Sequence, residues 1–198
     1  MTLLKNIVKP EDLFKNLPIL ETERLKLRKL SMHDAGDIFE YASDPEVSKY
    51  VLWEHHRTIA DSKSYLKHVL FLYEKGIPAS WGIVLKDDNK LIGTGGFQWW
   101  SVTDSKAEVG YVISKSYWNK GYMTEALEEI LSFGFEQMEL ERIEAKCFVR
   151  NTASVRVMEK CGMKLEGVLR SYKFVKGKFG DFKLYSVLSS ESQQKPRM

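Results

Sequence analysis

The chain has 198 residues, 43% of them hydrophobic and 12% aromatic, with 30 Lys plus Arg against 27 Asp plus Glu and a formal net charge of +3. That length suits one domain, and that apolar content supplies a core and excludes a disordered chain. Two cysteines, Cys147 and Cys161, make neither a disulfide scaffold nor a CxxC zinc or redox motif.

No apolar run approaches the roughly 20 residues that span a bilayer. The start, Met1 to Lys15, is broken by Lys9, Pro10, Glu11 and Asp12 and does not read as a secretory signal. A cytoplasmic location without a membrane partner is expected. Lys173, Lys176, Lys178 and Lys183 form the densest basic cluster. They read as a solvated hairpin face, and direct nucleic-acid binding is not expected.

Residues 1–20 read as a peripheral lead-in, with Pro10 and Pro18 as breaks. Alternation over Glu23 to Leu30 predicts a half-buried strand. Ser31 and Asp34 form a capping box ahead of a short helix that turns Ile38, Phe39 and Ala42 inward and ends at Asp44-Pro45. Thr58 and Asp61 repeat the box. The helix after them places Ile59, Leu66, Val69, Leu70 and Tyr73 on one side and stops at Gly76.

Strands follow over Ser80–Leu85 and Leu91–Trp99, with Asp87, Asp88 and Asn89 between them. Gly93, Gly95 and Gly96 signal a bulge or a close backbone approach. Ser101 to Ser105 turns into a strand over Ala107–Ile113. A loop, Ser114 to Gly121, feeds a helix whose apolar face holds Met123, Ala126, Leu127, Ile130, Leu131, Phe135 and Met138. A strand over Ile143–Val149 comes next. Asn151 then opens a short helix carrying Ala153, Val157 and Met158 inward, which Gly162 closes. Strands over 163–175 and 179–188 flank Lys176-Gly177-Lys178, and the tail from 189 reads as frayed. The fold class is α/β, a twisted mixed sheet with about four helices, in a single domain over 1–198 with its core at about 21–188.

A helix start offers unpaired amides and the positive end of a dipole, which suits phosphate. The stretch from Trp118 to Thr124 lies at such a start, and Gly121 lets the backbone approach a ligand. Its spacing is neither G-x-G-x-x-G nor the Walker pattern. On spacing alone it also reads as an ordinary strand-to-helix loop.

Several motifs, taken in order, carry a resemblance. They are Glu21-Thr22-Glu23-Arg24-Leu25, Ala107-Glu108-Val109-Gly110-Tyr111-Val112-Ile113, Trp118-Asn119-Lys120-Gly121-Tyr122-Met123-Thr124-Glu125-Ala126, Asn151-Thr152-Ala153-Ser154 and Cys161-Gly162-Met163. Together they resemble the GCN5-related N-acetyltransferase superfamily, and within it the RimJ and RimL kind of ribosomal-protein acetyltransferase. The likeness spans about residues 21–188.

The resemblance implies an acetyl-CoA-dependent N-acetyltransferase with no metal. It implies that Trp118, Asn119, Lys120, Gly121, Tyr122, Met123 and Thr124 wrap the pyrophosphate. Met123 departs from the family's small residue, and its place on the apolar face predicts a side chain in the core. The resemblance further implies a backbone amide among Tyr111, Val112 and Ile113 that polarises the carbonyl oxygen. Asn151 would bond to the pantetheine arm or to nearby backbone, and Ser154 would protonate the leaving thiolate. On spacing alone Asn151 is an N-cap and Ser154 a solvated helix residue.

Acetyl transfer also needs a proton acceptor. Glu108 is the best candidate, and alternation sets Glu108 and Gly110 opposite Ala107, Val109 and Tyr111. Glu108 alternatively reads as a solvent-facing glutamate. A covalent acetyl-cysteine is not expected. Tyr50, Trp53, Trp99 and Tyr172 are candidate acceptor-site residues, with Trp99 and Trp100 on opposite faces. His55 and His56 read as surface residues, and the aromatic stripe at Tyr172 and Phe174 reads more often as core. The acceptor is a peptide N-terminus or a small amine. A homodimer through the late strands is compatible with the pattern. A non-catalytic acetyl-CoA-binding module is the competing class.

Overall fold

The computed structural model describes residues 10–192. In chain order its elements are α1 (Pro10–Lys15), β1 (Leu20–Glu21), β2 (Leu25–Arg28), α2 (Ala35–Ala42), α3 (Pro45–Ser48), α4 (Ile59–Lys75), β3 (Ser80–Leu85), β4 (Leu91–Ser101), β5 (Lys106–Ile113), α5 (Tyr122–Glu136), β6 (Arg142–Phe148), α6 (Thr152–Lys160), β7 (Lys164–Val175), β8 (Lys178–Leu188) and α7 (Ser189–Ser192). The strands form one mixed sheet in the order β1-β2-β3-β4-β5-β6-β8-β7. Among the described residues only β5 and β6 pair in parallel, joined by the α5 crossover; every other pair there is antiparallel.

Local chemistry accounts for most boundaries. Both capping boxes form, at Ser31/Asp34 and Thr58/Asp61. Gly76 takes φ +67° and closes α4. The four helices of eight residues or more, α2, α4, α5 and α6, sandwich the sheet. Helices α2 and α4 pack on each other over one face, where Tyr65 of α4 hydrogen-bonds Thr94 of β4. On the other face α5 closes so tightly that a Cβ at Gly134 would lie 3.0 Å from Phe97 of β4, and one at Gly95 would lie 3.1 Å from Ile130. No helix among the described residues is long and apolar enough to cross a membrane.

The structure corrects several expectations. The lead-in is not peripheral where it is described: Pro10 starts α1, and Leu13, Phe14 and Leu17 are buried in the core. Helix α2 ends just before Asp44-Pro45 as expected, but the chain does not turn to loop there: the Asp44 side chain caps Glu46 N at 2.9 Å and starts the short α3. Ile59, the first residue of α4, is 39% exposed rather than on the buried side. In α5 Phe133 takes the buried place expected for Phe135, and in α6 Ala153 is exposed.

Two bulges interrupt β4, at Ile92 and Gln98, and bracket the glycines rather than fall on them. The glycines mark close approaches: a Cβ at Gly96 would meet Ser80 Cα at 2.5 Å. Residues 189–192 form a helical turn, held where Ser189 Oγ donates to Glu141 Oε2 at 2.8 Å. The rest of the expected frayed tail, and residues 1–9, lie outside the described residues.

Candidate functional site

The parallel ladder between β5 and β6 is short. It runs from Lys106↔Arg142 to Val109↔Ala145 and stops, although β5 continues to Ile113 and β6 to Phe148. Beyond Val109, β5 stays paired to β4 and β6 stays paired to β8. The two strands therefore part, and the edge of β5 over Gly110, Tyr111, Val112 and Ile113 loses its partner. The Gln98 bulge lies opposite Glu108 and Val109, where the separation begins. An extra residue there bends β4 and carries β5 with it.

The loop after β5 leads into this gap. A 3₁₀ turn over Lys115–Tyr117 comes first, and the Trp118 indole N–H donates to Ile113 O at 2.9 Å, folding the loop onto the end of β5. Asn119 (φ +59°) and Gly121 (φ +84°) both adopt left-handed backbone on either side of Lys120. Left-handed residues at a helix entrance gather amide hydrogens into a concave nest that suits an anion. Gly121 is also the N-cap of α5, so the first-turn amides of Tyr122, Met123 and Thr124 open on the same side as the helix dipole. Met123 is 5% exposed and packs in the core, as its place on the apolar face predicts. The residues present therefore fit a pyrophosphate group.

On the α6 side of the gap, Tyr111 and Ser154 meet. Their hydroxyl oxygens are 2.9 Å apart, and the Tyr111 hydroxyl also donates to Ser154 O at 3.2 Å. Burial pushes the Tyr111 phenol well above its ordinary value, so it stays protonated at neutral pH. Asn151 caps α6, its Oδ1 accepting from Ser154 N at 3.1 Å. That is the structural role its spacing alone suggests; Nδ2 makes no hydrogen bond among the described residues. Cys147 is buried beside Ser154, and burial pushes its thiol up to about 11 even though the Ser154 hydroxyl pulls it down.

On the opposite face, Glu108 is not merely solvent-facing. Its Oε2 accepts from Trp99 Nε1 at 2.8 Å and from Lys146 Nζ at 2.6 Å. Oε1 accepts no hydrogen bond among the described residues. The side chains of Glu108 and Lys146 are 20% and 14% exposed. Burial pushes Lys146 down, but the Glu108 carboxylate outweighs it and holds the ammonium above its usual value. Lys146 Nζ lies 5.7 Å from the Tyr172 ring centre. A chain of rings continues from there: Tyr172 to Phe182 at 5.6 Å, Phe182 to Phe148 at 4.3 Å, and Phe148 to Tyr50 at 6.4 Å.

Three of the four expected acceptor-side residues, Tyr50, Trp99 and Tyr172, thus join one surface with Glu108. Trp53 does not join this chain: it packs at a tilt on His56, with ring centres 5.4 Å apart. His56 is not a plain surface residue. Its Nδ1 pairs with the buried Ser62 hydroxyl at 2.8 Å, and burial lowers its pKa against the pull of Asp61. The aromatic stripe is not core either, since Tyr172 is 48% and Phe174 60% exposed. Lys146, Phe148 and Phe182 escaped the sequence reading. Alternation along β6 marks Lys146 and Phe148 as one face, but only the strand register shows that this face meets Glu108.

Residues 24–164 match the family model described as Acetyltransferase (GNAT) domain. The chain is 37% identical over 171 residues to the uncharacterized N-acetyltransferase YoaA of Bacillus subtilis, covering 86% of this chain and 97% of that one. It is 29% identical over 126 residues to the ribosomal-protein-serine acetyltransferase of Escherichia coli, covering 64% of this chain and 69% of that one. Among solved structures, a GNAT-family acetyltransferase from Bacillus anthracis superposes with a TM-score of 0.79 at 32% identity, over 88% of this chain and 100% of that one. The RimL acetyltransferase of ribosomal L7/L12, solved with coenzyme A, shares the fold at a TM-score of 0.78 and 18% identity, over 86% of this chain and 98% of that one. The parted strands, the anion-ready helix entrance and these matches agree: the chain belongs to the GNAT acetyltransferases, enzymes that take their acetyl group from acetyl-CoA.

Proposed function

We propose that the acceptor is the N-terminal α-amine of a protein, ribosomal or otherwise, and that this amine attacks the acetyl carbonyl directly while both substrates are bound in the cytoplasm. The observation that carries the reading is the geometry of Glu108. One oxygen is anchored by Trp99 and Lys146, and the other is left without a hydrogen bond beside the gap between β5 and β6. An ammonium must lose a proton before it can attack. Glu108 Oε1 takes that proton, directly or through one water.

The unpaired edge of β5 at Tyr111, Val112 and Ile113 supplies an amide hydrogen to the carbonyl oxygen, a preorganised donor where charge develops. Ser154, with the Tyr111 hydroxyl behind it, supplies a proton to the departing sulfur. Residues Trp118 to Thr124 hold the pyrophosphate, and Asn151 Nδ2 faces the pantetheine arm. Acetyl-CoA contributes the activated thioester, and the chain's residues orient it and move the protons.

A peptide acceptor is favoured over a polyamine by the charge at the centre of the surface. Lys146 neutralises Glu108 there, whereas a polycation would call for spare carboxylates. Tyr172, Phe174 and Phe179, each at least 48% exposed, offer a peptide an open apolar bed. The protein substrate named in the Escherichia coli relative supports the same choice. The reading includes a homodimer built on the late strands, where Leu165 and Val168 are half exposed, and sedimentation velocity reads it directly.

The test is acetyl-CoA-dependent thiol release with peptides bearing free Ser, Ala, Thr or Met termini, beside polyamines and aminoglycosides. Peptide turnover that falls about 10²–10⁴-fold in Glu108→Gln, with CoA binding retained, is expected. Turnover confined to one small amine would overturn the acceptor assignment. Full activity in Glu108→Gln would remove the base.

A further inference from the structure

We infer that Arg24, acting through Glu125 and Thr22, is a positioning residue that sets the pyrophosphate loop from the start of β2, three strands away from β5 in the sheet. The inference rests on the loop assignment made above and adds the device that shapes it.

Arg24 precedes β2, about a hundred residues before the loop in the chain. Its Nη1 donates to Lys120 O at 3.1 Å. In a planar trans peptide the carbonyl of Lys120 and the N–H of Gly121 point in opposite directions. Holding that carbonyl toward Arg24 therefore aims the Gly121 N–H away from the guanidinium, into the nest between Asn119 and the first turn of α5. The guanidinium carbon lies 4.3 Å from the Tyr122 ring centre, so it also packs on the first residue of the helix.

Glu125 completes the clamp. An acid in the first turn suits the helix dipole, but an unpaired one would repel a bound pyrophosphate. Here both oxygens are occupied. Oε1 accepts from Thr22 Oγ1 at 2.5 Å and from Arg24 N at 2.9 Å. Oε2 accepts from Arg24 Nε at 2.7 Å and lies 2.6 Å from Nη2. Burial pushes this carboxyl up, yet the bonds from Thr22 and Arg24 outweigh it and keep Glu125 ionised. The acid thus anchors the arginine, and the arginine cancels the charge facing the anion. The Arg24 side chain is 42% exposed, so little of the core depends on it.

The test compares CoA with pantetheine, which lacks the pyrophosphate, in NMR titrations of the full chain. The wild type should bind CoA far more tightly than pantetheine. Arg24→Met should weaken CoA at least tenfold and leave pantetheine within twofold. Arg24→Lys, which keeps the charge without the fork, should recover only part of the loss. If Arg24→Met does not fold, Thr22→Val removes one bond to Glu125 and should weaken CoA about threefold. A folded Arg24→Met variant with wild-type CoA affinity would overturn the clamp, as would equal losses for both ligands or full rescue by lysine. A wild type that binds both ligands equally would overturn the loop assignment, and the clamp with it.

Discussion

A methyl group added at Gly93 would lie 2.4 Å from the carbonyl oxygen of Val112 and 2.9 Å from Ile113 Cα. Both are backbone atoms of β5, on the stretch that loses β6 as a partner and lines the gap. Neither can rotate away as a side chain would. Ordinary contact begins near 3.4 Å, so Gly93→Ala must push β5 off β4 by about 1 Å. Overpacking of that kind costs about 1–3 kcal/mol. With a urea dependence of about 2 kcal/mol/M, the midpoint should fall by about 0.5–1.5 M. The same shift moves the amides of Val112 and Ile113, and a 1 Å misplacement at a reacting centre costs up to about 10²-fold in rate. Gly36→Ala is the control. Nothing lies within 4 Å of its added Cβ, and it sits inside α2, so it should gain about 0.5–1 kcal/mol through helix propensity and leave turnover unchanged. Urea melts and thiol release on the two variants decide the matter. A Gly93→Ala protein with the wild-type midpoint and rate would refute the steric argument.

Three further outcomes follow from single contacts. Burial pushes the Asp34 carboxyl up, but a two-pronged bond from Arg28 and the Ser31 amide hold it below the usual range. Its contribution is therefore present above about pH 4 and lost as the pH falls through its lowered folded value. Asp34→Asn should cost about 2–3 kcal/mol at pH 7, less than breaking a fully buried pair because Arg28 is 26% exposed, and should blunt the acid transition followed by circular dichroism. An unchanged acid limb would count against it. Asn151→Ala removes the cap on Ser154 N and should lower stability by about 0.5–2 kcal/mol, whereas Asn151→Asp should keep it; thermal melts of the pair would separate capping from any other role. Cys147, with its thiol at about 11 and its side chain buried, should resist aromatic disulfide reagents in the native state, as should buried Cys161, and both should label at once in denaturant. Rapid native labelling of Cys147 would contradict the burial.

Much of the architecture is local, and the sequence carries local information well. Ser80–Leu85 forms the strand expected before the Asp87-Asp88-Asn89 turn. Thr58, Asp61 and Gly76 bound α4 through bonds within a few residues of themselves. Asn119 to Thr124 open α5 with the backbone that a glycine before an amphipathic helix allows. The motif order carried the family, because spacing along the chain preserves loop lengths between elements.

What escaped depends on pairing between distant strands. Alternation places Glu108 on a face but says nothing of what stands across from it. The β5–β6 register pairs it with Glu144 and brings Lys146 within 2.6 Å, turning a free carboxylate into an anchored one. Tyr172 and Phe174 carry core-like side chains, and only their place on an edge strand leaves them exposed. Arg24 reads as one more charged residue beside a strand, and the reach from β2 to the α5 entrance makes it a clamp. By itself the sequence determined the main strands and helices, most of their apolar faces and the anion-ready loop, since those follow from periodicity and capping over a few residues. The tertiary structure alone decided where β5 and β6 part and which charges meet there, because strand register and separation are set by contacts between segments far apart in the chain.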